Sequence, residues 1–92
     1  DKNIKEIENL DICLSLQVLY LQDNLLNSMT PLNVCKKLTN LHLSRNGITI
    51  ITGLENATNL KKLFLDGNAI STVSGLESCV MLEELNLDRS LS

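Results

Sequence analysis

Leucine recurs in this chain with a period that does not slip. Leu16-x-x-Leu19-x-Leu21-x-x-Asn24, Leu38-x-x-Leu41-x-Leu43-x-x-Asn46 and Leu60-x-x-Leu63-x-Leu65-x-x-Asn68 begin 22 residues apart. A further segment, Leu82-x-x-Leu85-x-Leu87, has Ser90 where Asn is due. The intervening stretches repeat too. Leu26, Ile48 and Ile70 form one column, which Ile4 joins from upstream. Met29, Ile51 and Val73 form another with Ile7, and Leu32, Leu54 and Leu76 a third with Leu10. A pattern repeated this closely restricts the chain to stacked copies of one unit, each too small to bury its apolar face alone.

The spacing predicts an α/β repeat solenoid, a right-handed coil with one turn per period. Four short parallel strands form its concave face, stacked about 4.8 Å apart, and the convex side is 3₁₀ or irregular. Alternation sends Leu19 and Leu21 inward and Val18, Tyr20 and Gln22 to the concave face. Each Asn falls where the strand bends away, where its amide can satisfy backbone groups of neighbouring coils. Residues 1–92 read as one domain: a half turn over 1–15, turns over 16–37, 38–59 and 60–81, and a partial turn over 82–92. Ile4, Ile7 and Leu10 are a convex half without its strand, and the last strand has no convex half after it. The chain is therefore expected to be a piece of a longer protein, with sticky ends when isolated.

Composition narrows the function. Of 92 residues, 43% are hydrophobic but only 2% aromatic, so the core is aliphatic. A net charge of −3 argues against general affinity for nucleic acid or anionic membrane. No apolar run reaches the roughly 18 residues of a membrane span. One His, three Cys and one Tyr leave little for catalysis. His42 has only Ser44 as a near neighbour on its face, and no third group orients the imidazole, so the chain reads as no enzyme. No cofactor, metal or small-molecule motif is present.

The pattern LxxLxLxxNxIxxIxGL, matched almost column for column by Leu38–Leu54, resembles the leucine-rich repeat class typified by a regulatory subunit of protein phosphatase 1. That class also occurs in axonemal dynein light chain, a spliceosomal snRNP subunit and ciliary proteins. The resemblance implies a non-catalytic protein-binding module working through its concave face, a phosphatase regulator or a ciliary or cytoskeletal scaffold. Its alternative is a ribonucleoprotein subunit. The chain departs from the pattern at Met29-Thr30-Pro31-Leu32, where I-x-G-L is usual, so Pro31 should stiffen the first convex arc.

Cys13, Cys35 and Cys79 share one column with Ala57. A place that takes Cys or Ala asks for a small apolar side chain, and the cysteines read as buried reduced thiols. Cys13 and Cys35 lie on adjacent coils, where a bridge is geometrically thinkable. Reduced thiols fit the cytoplasm or nucleus, and the resemblance to ciliary proteins adds the cilium to the expected intracellular compartments.

The partner-binding candidates are the strand positions that the leucines leave free. The central column reads Tyr20, His42, Phe64, Asn86, and holds every Tyr, His and Phe of the chain. Its rings should stand about 5 Å apart. Val18, Asn40, Lys62 and Glu84 run on one side, and Gln22, Ser44, Asp66 and Asp88 on the other. The face grades from aromatic to acidic, suiting a protein partner with an apolar anchor followed by Lys or Arg.

Overall fold

In a computed structural model, residues 15–90 are described, and they build the expected solenoid. Strands β1 (Val18–Tyr20), β2 (Asn40–His42), β3 (Lys62–Phe64) and β4 (Glu84–Asn86) form one parallel sheet in sequence order. The register advances by one sequence period per strand: Leu19, Leu41, Leu63 and Leu85 pair in turn. Each strand is only three residues long, because the coil must bend out of the sheet to close its turn.

The leucine columns fill the space beneath. Leu41, Leu43, Leu63, Leu65, Ile48, Leu54 and Ile70 have no solvent exposure. Met29, Leu32 and Ile51 complete the convex wall. At the ends the same columns are less covered: Leu19, Leu21, Leu82, Leu85 and Leu87 are only half-buried. Val73 departs from its column. It is 48% exposed, whereas Met29 and Ile51 are sealed. Ile4, Ile7, Leu10 and Cys13 lie outside the described residues.

The convex side closes with single three-residue turns. Leu32 N–H donates to Met29 O, Ala57 N–H to Leu54 O and Cys79 N–H to Leu76 O, at 2.9, 3.1 and 3.0 Å. Among the described residues, only the coil over 16–37 lengthens this into a 3₁₀ helix, Thr30–Val34, with Pro31 in its first turn. The reason is conformational. Gly53, one period after Pro31, sits at φ 80°, and a Cβ there would lie 2.3 Å from Met29 O. Proline cannot take a positive φ, so the first arc tightens where the next one swings through the left-handed region.

The Asn ladder works as its position predicts. Asn46 Nδ2 donates to Leu21 O of the preceding coil and Leu43 O of its own, both at 3.0 Å, while Oδ1 accepts from Leu26 N–H. Asn68 repeats this with Leu43 O, Leu65 O and Ile48 N–H. Ser90 occupies the next rung, fully buried, and its hydroxyl has no partner.

One expectation is corrected at the cysteines. Cys79 is a buried free thiol, its pKa pushed up by burial and then by Glu77. Cys35 is disulfide-bonded.

Candidate interaction face

The parallel register brings the central column together. Tyr20, His42 and Phe64 pair in line and their rings stack. The Tyr20–His42 centroids are 4.5 Å apart and the His42–Phe64 centroids 4.6 Å, with interplanar angles of 21° and 12°. The strand spacing imposes this distance, which is within the range for offset aromatic stacking. Tyr20 remains 65% exposed, while His42 and Phe64 are half-buried. Packing between two rings removes water from the imidazole, so desolvation lowers the His42 pKa below its ordinary value. Asn86 follows Phe64 in register, and its Oδ1 accepts Asp88 N–H at 3.0 Å.

The flanking columns divide. Val18, Asn40, Lys62 and Glu84 pair in register along one side, with Val18, Lys62 and Glu84 exposed. On the other side Gln22 is half-buried and its Oε1 has no partner. Ser44, expected on the open face, is buried; its hydroxyl donates to Asp66 Oδ1. Asp66 Oδ2 also lies 3.7 Å from the Arg45 guanidinium. Asp66 is therefore spent within the molecule, and the acidic gradient expected along this face shrinks to Glu84 and Asp88. The strand ends at His42. Past that point alternation lapses, and Leu43 and Ser44 both turn inward.

A column that sequence reasoning missed lies just beyond. Asp23, Arg45, Gly67 and Arg89 occupy equivalent places, and all four take positive φ: 61°, 57°, 74° and 59°. The Arg45 guanidinium grips Asp23 with two nitrogens, the second at 2.9 Å from Asp23 Oδ2. That hydrogen bond, and then the charge of Asp23, raise the Arg45 pKa. The signal was present in the sequence as opposite charges one period apart, with a glycine in the same column. Among the described residues, no group of three or more His, Cys, Asp and Glu comes together as a metal cage would require. No helix there is long and apolar enough to cross a membrane.

Residues 37–57 match the model of the leucine-rich repeat. Two internalins of Listeria monocytogenes share the architecture. Internalin inlF is 35% identical with a TM-score of 0.87 over 94% of this chain, and internalin C2 is 33% identical with a TM-score of 0.85 over 98%. The chain spans 25% and 38% of the lengths of those two structures. No curated protein sequence matches the chain.

Proposed function

We propose that this leucine-rich repeat solenoid is a protein-interaction module that seats an apolar anchor of its partner on the ring column of the concave face. The observation that carries the reading is the stack itself: Tyr20, His42 and Phe64 at 4.5 and 4.6 Å, with Tyr20 largely in solvent. Stacking holds the rings rigid, so little side-chain entropy is lost when a partner covers them. Val18, exposed beside Tyr20, extends the apolar end. A partner on these groups excludes water from large ring surfaces, the usual composition of a binding hot spot.

The finer roles rest on the sequence pattern. Regulation of a phosphatase, or a ciliary or cytoskeletal scaffold, draws its support from the Leu38–Leu54 resemblance. The ribonucleoprotein alternative draws little from this geometry, since the ring faces are turned on one another and are not free to stack on bases. For the compartment, the cysteines pull two ways. Buried free Cys79 suits a reducing environment, and a disulfide at Cys35 an oxidising one. The intracellular placement requires Cys35 to alkylate without prior reduction when the protein is taken from its own cell.

Affinity capture tests the face. The Tyr20→Ala/His42→Ala/Phe64→Ala variant should lose the partner, while Lys36→Ala/Lys37→Ala on the convex side keeps it. The reverse result overturns the concave-face reading.

A further inference from the structure

The column Asp23, Arg45, Gly67, Arg89 alternates in charge and then misses a step. Asp23 on the first coil pairs with Arg45 on the second. On the third coil, where an acid would pair with both arginines, the chain has Gly67. A pocket of about 330 Å³ lies here, lined by Arg45, Asp66, Gly67, Asn86, Asp88 and Arg89; a Cβ on Gly67 would meet Arg45 Cγ at 2.9 Å, so the Arg45 side chain passes over this glycine. Its charges are not equally available. Arg45 is committed to Asp23, and Asp66 is held by Ser44 and lies against Arg45. Arg89 is exposed and has no ion pair among the described residues. Asn86 has its carbonyl engaged by Asp88 N–H, which leaves its amide nitrogen to donate. The unspent donors are thus a guanidinium and a primary amide that line one pocket, a set that can serve the two oxygens of a carboxylate. The opposing group is the Asp88 carboxylate, which is exposed and therefore screened.

We propose that this pocket receives a carboxylate side chain, Asp or Glu, of the protein that docks on the concave face. The inference rests on that reading of the face and specifies the partner's chemistry. Asn86 pairs in register with Phe64, so the acid enters one strand beyond the ring column. The partner presents an apolar anchor followed by an acid, not by the Lys or Arg that the sequence alone suggested. Arg89 supplies the charge and Asn86 the second donor.

The probe is N-acetyl-aspartate N-methylamide, which carries one carboxylate and no apolar anchor, titrated at low salt and followed by the backbone amide signals of Gly67, Asn86 and Arg89. It should shift these signals saturably, and N-acetyl-lysine N-methylamide should not. Arg89→Gln, at an exposed position, should weaken the acidic probe roughly fivefold, as expected for loss of a charge-assisted hydrogen-bond pair. Asp88→Asn should tighten it. Equal or tighter binding of the lysine probe, no effect of Arg89→Gln, or weakening by Asp88→Asn overturns the pocket. None of these results depends on the rings. Failure here leaves the ring reading standing, and the capture experiment can fail without altering probe binding.

Discussion

The coil over residues 38–59 and the turn over 82–90 carry the same leucine pattern but differ in burial. In the first, Leu38, Leu41, Leu43, Ile48 and Leu54 are wholly sealed. In the second, Leu82, Leu85 and Leu87 are half-buried, and neighbouring Val80 is 78% exposed. Motif is held constant while neighbours vary. The difference shows that a leucine here is buried by the coils on both sides of it, so stability resides in the interfaces between turns. The ladder of side-chain amides makes the same point, since Asn46 and Asn68 each tie one coil to the last and Ser90 ties nothing.

Truncating matched leucines should expose this most strongly. Leu41→Ala leaves a cavity closed on all sides and should cost about 2–5 kcal/mol, a large part of the stability of a domain this size. Leu85→Ala opens onto solvent, which fills the gap, and should cost about 1–2 kcal/mol. Urea melts of the two variants check the ratio. Equal losses would mean that the turn over 82–90 is as well packed as the coil over 38–59, contrary to its exposure.

The amide ladder gives the next largest effect. Asn68→Ala strips Ile48 N–H of its acceptor and Leu65 O of a donor in a buried setting, at about 1–3 kcal/mol. The complementary change should gain stability. In the two coils before it, the amide N–H of Leu26 and of Ile48 finds the Asn Oδ1 of the following coil. Ile70, the next in that column, has Ser90 opposite, whose shorter side chain ends without a partner. Ser90→Asn should supply that acceptor and stabilise by about 0.5–1.5 kcal/mol, read as a higher urea midpoint at unchanged slope. A lower midpoint would show that the turn over 82–90 lacks the backbone geometry of the two coils before it.

These contrasts also show which features were legible beforehand. Period, strand order, register, the ring column and the Asn ladder all follow from residue type at fixed spacing. They were readable because the same physical demand recurs on each coil. Features peculiar to one coil were not. Nothing in the residue type of Ser44 says that it turns under Asp66; that follows from the strand stopping at His42. The left-handed column was hidden because Asp, Arg and Gly share a backbone conformation and no chemistry. The cysteine spacing showed adjacency but not oxidation state. Val73 looked like a core residue because its column is one, yet it is 48% exposed among the described residues.

The smallest expected effect is the most local. His42 is held between Tyr20 and Phe64 and has its pKa lowered by desolvation. The unfolded chain, with an ordinary imidazole, takes up a proton at a higher pH than the folded one. Stability is therefore full above about pH 6.5 and falls as the pH drops from there through the folded-state value. Lys62 and Asp66 flank the ring from β3 and its end, and Asn40 and Ser44 adjoin it along its own strand. Asp66 is committed to Ser44 and Arg45, so it does little to favour the cation. The half-exposed ring keeps the effect modest. Thermal melts at pH 7.5 and 5.5 should show a drop in the native protein that is smaller in His42→Phe. That variant keeps three stacked rings and removes the titrating group. The same drop in both would place the acid sensitivity among the carboxylates, and the imidazole would then be only a spacer in the stack.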